Sequence, residues 1–309
     1  MISAALTFAS GLTGCAWVDA FVQREPVESR QLAAMAAEAE RTRPGAAEEL
    51  LLLRGLRENP RDQDLRLQLA DLLLEQDRAG EAVEQLEQVI ATSSNDADAR
   101  VRLARACRLT GQQTDARRHV DAALSIDPSH PQALLLQGEF AAESGRISDA
   151  LEAYHHVLAV DSSNVTARLR IASLLLRSER CDQAAPLLRS VCASDCVTGE
   201  ESAQARWLLG LAYGHEQRWT DAVHVLSSAI IERGETATAD DWYRVAYARY
   251  RAGDREQSWD AVRQALDLQP DHINSLALAE MLRRESLQLE TTIVQTGHTS
   301  SQLPRPPGW

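Results

Sequence analysis

A spacing of 34 residues between similar segments is the feature that most limits how this chain can fold. Segment 97–130 defines the pattern, with small or apolar residues at helical spacing on both sides of a turn at Gly111, and with Pro128 closing the segment. The spacing predicts two amphipathic helices, from 97 to about 110 and from 114 to about 126. Because neither helix can bury its apolar face alone, the segment requires stacking on copies of itself.

Copies of this pattern occupy most of the chain. They predict six full repeats, at 63–96, 97–130, 131–164, 165–198, 203–236 and 239–272, with a short insert at 199–202. A degenerate helix pair precedes them and a capping helix, from 273 to about 285, follows, so the predicted repeat domain spans 22–285. The tail, 286–309, is predicted to be disordered, although its Pro-containing end could instead be an extended ligand for a proline-binding domain.

The small residues recur where helix backbones should approach closely, as at Ala104, Ala116 and Ala123. This spacing resembles the tetratricopeptide repeat (TPR) family. The resemblance implies an all-α fold, a right-handed superhelical solenoid of antiparallel helix pairs. It also implies a non-catalytic scaffold that binds a segment of another protein in a concave groove lined by the first helix of each pair.

The resemblance places positions 2, 5, 9, 12 and 13 of each repeat in that groove. Arg105 and Arg108 are expected to meet a carboxylate or an acidic peptide, and a solvated face is the alternative. The tyrosines of the last repeat are expected to be interface anchors, and packing beneath the capping helix is the alternative. The predicted partner-binding residues are Arg105, Arg108, Leu135, Glu139, Arg177, Tyr243, Tyr247, Tyr250 and Arg251.

The N-terminal segment carries a second resemblance. Residues 1–14 have no charged side chain, and Leu12-Thr13-Gly14-Cys15 is similar to the end of a bacterial lipoprotein signal. The resemblance implies acylation of Cys15, with residues 1–21 as signal and linker. It also implies a lipid-anchored scaffold on the periplasmic side of the cell envelope, which assists the assembly or organisation of another complex. The alternative is a soluble cytoplasmic TPR adaptor or regulatory protein in which the motif occurs by chance.

Other classes of function find little support in the sequence. The formal net charge of −13 argues against a nucleic-acid partner, and all 32 basic residues are arginine. The chain has no Gly-rich phosphate loop, nucleophile elbow or HExxH string, so we predict no catalytic site, no metal and no cofactor. Cys181, Cys192 and Cys196 cluster beside the insert, and one disulfide among them is predicted if the protein is exported.

Overall fold

The computed structural model describes Met35, residues 45–194, Val197 and residues 199–292, and it contains helices and connecting turns but no strand within these residues. A short 3₁₀ turn lies at Gly234–Thr236. The α-helices are α1 Ala46–Glu58, α2 Gln63–Glu75, α3 Ala79–Thr92, α4 Ala97–Leu109, α5 Gln113–Ile126, α6 Pro131–Glu143, α7 Ile147–Val160, α8 Val165–Arg177, α9 Cys181–Cys192, α10 Glu200–His215, α11 Trp219–Arg233, α12 Ala239–Ala252, α13 Arg255–Leu268 and α14 Ile273–Thr292.

The chain divides into two compact units, Met1–Phe140 and Ala141–Trp309. In unit 1, each helix from α1 to α5 packs against the next one along the chain, and in unit 2 the same holds from α7 to α14. First helices of neighbouring pairs also contact each other, as α2 contacts α4, α8 contacts α10 and α12 contacts α14. These contacts confirm the predicted all-α fold of stacked helix pairs.

Each first helix ends in the same tight turn. The backbone N–H of residue 16 of the repeat donates to the carbonyl of residue 11, as from Gln112 to Cys107 at 2.8 Å. This closure requires a left-handed conformation at residue 15, which glycine adopts without strain. The six residues at this position have positive φ: Asp77, Gly111, Gly145, Glu179, Gln217 and Gly253.

Several first helices begin on a side-chain cap from the residue just before the helix. Asp62, Asp96 and Asn164 each accept a hydrogen bond from the backbone N–H three residues later, at 2.9–3.1 Å. Thr238 forms a reciprocal capping box with Asp241 at the start of α12. These contacts satisfy N–H groups that a helix start leaves without a partner in the helix.

The small residues lie where helices approach most closely, as the spacing predicted. The side chain of Leu226 lies against Gly210, where an added Cβ would be 2.4 Å from its Cγ. Position 20 of all six repeats is completely buried, and its occupants are Ala82, Ala116, Ala150, Ala184, Ala222 and Ser258. The hydroxyl of Ser258 donates to the carbonyl of Ala246 at 2.8 Å, so the one polar occupant is satisfied.

Two boundaries differ from the sequence prediction. Most of the predicted insert at 199–202 belongs to α10, which begins at Glu200, because two glutamates there suit the positive end of a helix. The capping helix continues past 285 to Thr292, so the predicted disordered tail does not begin at 286. No Gly or Pro stands between 286 and 292 to stop it.

Several predictions fall on residues that the structure does not describe. These are the signal and linker with Cys15, the first helix of the degenerate pair except Met35, Cys196, and the tail from 293 onward. Among the helices that are described, none combines the length and apolar character needed to cross a membrane.

Candidate partner-binding face

Unit 1 presents a surface that we call the first-helix face, formed by α2, α4 and residues 131–140 of α6. Ion pairs tie its three helices together. The guanidinium Nε of Arg102 on α4 lies 3.0 Å from Oδ1 of Asp71 on α2. On the other side, Arg108 of α4 pairs with Glu139 of α6. The structure therefore brings together two predicted partner-binding residues, Arg108 and Glu139, and satisfies each with the other.

Arg105 lies on α4 between these two ion-paired arginines. Its side chain is exposed. Among the residues that the structure describes, no carboxylate forms an ion pair with Arg105 and no acceptor takes a hydrogen bond from it. Because a guanidinium stays charged and offers five N–H donors, Arg105 is the member of the predicted pair that can receive an anionic group.

The helices of this face also carry apolar side chains. Leu109, at the end of α4, is 63% exposed. Leu135, a predicted partner-binding residue on α6, is half-buried. The first-helix face therefore combines an arginine without an ion-pair partner among the described residues with one exposed and one half-buried leucine, and arginine is enriched in protein interfaces.

The structure corrects the prediction for two tyrosines of unit 2. Tyr243 and Tyr247 are only 7% and 2% exposed. Their rings pack on each other with centroids 6.2 Å apart, and Tyr243 also packs on His272 at 5.7 Å. Burial raises the pKa of Tyr243 to about 12. Because little of either ring faces solvent, both act as core residues rather than as anchors for a partner.

Tyr250 and Arg251 also make contacts within unit 2. The hydroxyl of Tyr250 donates to Glu285 of α14, and Nε of Arg255 lies 2.9 Å from the second oxygen of that carboxylate. Arg251 stacks over the ring of Trp219 at 4.6 Å and donates to the hydroxyl of Tyr247 at 3.0 Å. Burial and the Glu285 hydrogen bond raise the pKa of Tyr250 to about 12.

Arg177, the remaining predicted residue, lies at the end of α8 in unit 2. It is exposed and makes no ion pair with the described residues. The structure thus leaves Arg105 in unit 1 and Arg177 in unit 2 as predicted arginines with unengaged guanidinium groups.

Sequence reasoning missed a repeated pair of imidazole and carboxylate. Nε2 of His130 lies 3.0 Å from Oδ1 of Asp98, and Nε2 of His272 lies 3.7 Å from Oδ1 of Asp240. Both pairs join position 2 of a repeat to position 34. The sequence did contain a signal for these pairs, because two repeats carry aspartate at position 2 and histidine at position 34. An open cleft of about 520 Å³ adjoins the first pair, but its polar lining is largely engaged in caps and turns.

Among the cysteines that the structure describes, Cys107, Cys181 and Cys192, no two are bonded to each other. Burial raises the pKa of each above its ordinary value, so each favours the protonated, less reactive form. Cys196 lies outside the described residues, and the predicted disulfide stays a prediction. Within the described part of the chain, no group of three or more His, Cys, Asp or Glu side chains is placed to hold a metal ion.

The stacked helix pairs within each unit define an all-α helical-repeat protein. Two sequence models of the tetratricopeptide repeat match the chain, one at 73–139 and the other at 32–97, 135–195 and 169–238. The second matches more than half of the chain, which therefore belongs to the tetratricopeptide repeat family. Proteins of this family are generally non-catalytic interaction scaffolds that bind peptides or proteins. No curated protein matches the sequence.

Several solved structures share the fold. PilF of Pseudomonas aeruginosa has a TM-score of 0.63 at 15% identity, over 71% of this chain and 97% of PilF. PilW, described as a widely conserved type IV pilus biogenesis factor, has a TM-score of 0.60 at 16% identity, over 70% of this chain and 98% of PilW. YrrB, described as a TPR protein with an unusual peptide-binding site, has a TM-score of 0.54 at 20% identity, over 64% of this chain and 99% of YrrB. At these identities the likeness concerns the fold alone.

Proposed function

We propose that this protein is a lipid-anchored scaffold of the bacterial cell envelope, which binds a segment of another protein on its first-helix face and assists the assembly of a larger complex. The observation that carries the binding proposal is Arg105, a charged and unengaged side chain on a face otherwise tied together by ion pairs. Membership of the TPR family supports the same role.

Two further observations support anchoring and assembly. The string Leu12-Thr13-Gly14-Cys15 supplies a cysteine in the sequence context of a lipid attachment site. The shared fold with PilW, which is described as a biogenesis factor, makes assembly of an envelope complex the first role to test. A single acyl chain holds a protein only weakly at a membrane, so stable attachment at Cys15 requires more than one.

Site-specific photo-cross-linking tests where the partner binds. A photoreactive residue at Leu109, which is exposed on α4, should cross-link a protein in the native host. The same residue at Ser125, which is exposed on α5 of the same repeat, is the matched control and should not. Because the chain contains no lysine, amine-directed reagents are poorly suited to this experiment. Equal cross-linking at both positions, or none at Leu109, would contradict binding on the first-helix face.

Metabolic labelling with an alkyne analogue of palmitate tests the anchor. The wild-type protein should be labelled and should sediment with membranes. Cys15→Ser should lose both the label and the membrane association. A wild-type protein that is unlabelled and stays in the cytosol would support the alternative, a cytoplasmic adaptor.

A further inference from the structure

We propose that residues 303–309 of the chain dock on an exposed apolar patch at the connection between α13 and α14 and cover it. The patch, which we call the end patch, consists of Leu268 at the end of α13 and of Ile273 and Leu276 in the first turn of α14. These side chains are 55%, 80% and 47% exposed. A turn of four residues separates the two helices, so three large apolar side chains occur within nine residues. Single apolar side chains on a surface are ordinary, whereas a group of them marks a site of interaction.

The last helix differs from the other first helices at the position where a second helix packs. Position 8 of a repeat is where the two helices of a pair meet, as at Gly210, which faces Leu226. In α14 this position is Glu280, which is exposed and pairs with Arg284 at 2.9 Å. A helix stacked along α14, such as one from a second copy of the chain, would bury this charged pair at a cost. The end patch therefore suits a short segment that contacts only the first turn of α14.

The residues that follow α14 include a segment with matching apolar character. Residues 303–309 read LPRPPGW, and they supply Leu303 and Trp309 as large apolar side chains. The three prolines favour an extended backbone that is already restricted before it binds, so less conformational freedom is lost on docking.

The charges around the end patch favour the same segment. Asp267 and Asp271 flank the patch in sequence, and both are exposed and form no ion pair with the described residues. Residues 293–309 contain no acidic residue, although the net charge of the protein is −13, and Arg305 lies between the two apolar ends of the LPRPPGW segment. The segment and the patch are therefore complementary in charge as well as in apolar character.

The segment can reach the end patch within its own chain. A helix rises 1.5 Å per residue, so the end of α14 at Thr292 lies about 28 Å from Ile273. An extended chain covers about 3.3 Å per residue, so Leu303, eleven residues beyond Thr292, can return about 36 Å.

The small size of the patch favours a tethered segment over a separate protein. Three partly exposed side chains offer far less surface than the roughly 800 Å² per partner that a standard interface buries. A segment on a short tether has an effective concentration in the millimolar range, so a small contact is enough to hold it. The docked segment would cover the apolar first turn of α14, while Glu280 keeps the middle of that helix polar. This role is independent of the proposed function.

Fluorine NMR of the full chain labelled with 5-fluorotryptophan tests the inference. Trp309→Phe identifies the signal of Trp309 among those of the six tryptophans. We expect the Trp309 signal to be shifted away from that of a free LPRPPGW peptide with the same label. Its position should not change on dilution, because the contact forms within one chain.

Substitutions assign the contact to the end patch. Ile273→Asp should move the Trp309 signal to the free-peptide position, because it places a charge among the apolar side chains. Ile231→Asp is the matched control and should leave the signal in place, since Ile231 of α11 is also 80% exposed. Arg305→Glu should move the signal part of the way, because it brings a like charge towards the two flanking aspartates. Circular dichroism should show unchanged helix content in these variants.

Three results would overturn the inference. The first is a wild-type Trp309 signal at the free-peptide position, and the second is a shifted signal that Ile273→Asp leaves in place or that Ile231→Asp moves equally. The third is a signal that changes on dilution, which would assign the contact to the tail of a second copy. Cross-linking at Leu109 tests the proposed function separately and is unaffected by any of these results.

Discussion

At the scale of the residue, the fifteenth position of each repeat carries the same backbone demand with different side chains. Gly111, Gly145 and Gly253 meet it without strain, whereas Asp77, Glu179 and Gln217 hold φ values of 58–61°. A side chain in this left-handed conformation costs about 1–2 kcal/mol. Three of the six turns therefore retain strain that glycine would remove.

Replacing one of these residues should stabilise the protein. Glu179 is exposed, so Glu179→Gly loses no buried contact. We expect a gain of about 0.5–1 kcal/mol, because relief of strain exceeds the extra freedom that glycine adds to the unfolded chain. The urea concentration at the midpoint of unfolding measures this gain in stability. Glu179→Ala, which keeps the strained Cβ, is the control, and a lower midpoint for Glu179→Gly than for wild type would contradict the argument.

One histidine should make stability depend on pH. Burial, followed by Arg118 and Arg100, lowers the pKa of His119 below its usual 6.5, and its Nδ1 is buried without a hydrogen-bond partner among the described residues. The folded state therefore favours the neutral ring. As pH falls below 6.5, the unfolded chain binds a proton more readily, and stability is lost until the folded pKa is reached.

The comparison with His119→Gln isolates this effect. Between pH 7.5 and 5, the thermal midpoint of wild type should fall more than that of the variant, since all other titrating groups are shared. Parallel curves for the two proteins would show that His119 contributes no pH dependence.

At the scale of the element, contact between the two helices of a pair depends on residues with little or no side chain. Gly210 of α10 faces Leu226 of α11, which is completely buried. The sequence predicted this closeness because Gly210 takes the place that Ala104 has in segment 97–130. A Cβ at Gly210 would have to displace Leu226 or separate the two helices.

We therefore expect Gly210→Ala to destabilise the protein by about 1–3 kcal/mol. Gly80→Ala is the control, because Gly80 lies within α3 with no atom within 4 Å of an added Cβ, and alanine there should stabilise by roughly 0.5–1 kcal/mol. Chemical denaturation of both variants measures the difference. Similar midpoints for the two substitutions would show that the helices have room at Gly210.

Periodicity predicted the elements better than it predicted the site. Small residues and turns recur at fixed intervals, so α4 was expected to begin at 97 and does. The burial of Tyr243 and Tyr247 depends on partners far along the chain, including His272 and Trp219, and no local pattern reveals them. The pairing of Arg108 with Glu139 likewise joins residues of two repeats. Position in a repeat predicts the face on which a side chain lies, but it does not predict which residues of other repeats that side chain contacts.

At the scale of the whole molecule, each unit has a core of its own. The core of unit 1 includes Leu69, Leu86 and Leu103, all nearly or completely buried. Unit 2 has comparable residues, such as Leu188 and Leu226. In repeat proteins, stability is a sum of local terms and nearest-neighbour contacts, so a core defect should act mainly on its own unit.

Tryptophan fluorescence can separate the two units, because all four tryptophans in the described residues lie in unit 2: Trp207, Trp219, Trp242 and Trp259. In a Trp17→Phe background, Leu103→Ala should remove about 2–5 kcal/mol from the core of unit 1. The urea transition by circular dichroism should then begin earlier, while the fluorescence transition moves less. Leu226→Ala should give the reverse pattern, and equal shifts by both probes would indicate a single cooperative unit.

The helix caps affect which segment of the chain can be exchanged for another repeat. The hydrogen-bond acceptor that starts α4 is Asp96, the last residue of the repeat before it, and Asp62 and Asn164 stand in the same relation to α2 and α8. Exchanging one repeat for another therefore also changes the start of the helix that follows. If segment 97–130 replaced segment 63–96, the residue just before α4 would be His130 instead of Asp96. The unit that can be transplanted with its own helix start thus begins one residue before the unit that the sequence pattern displays.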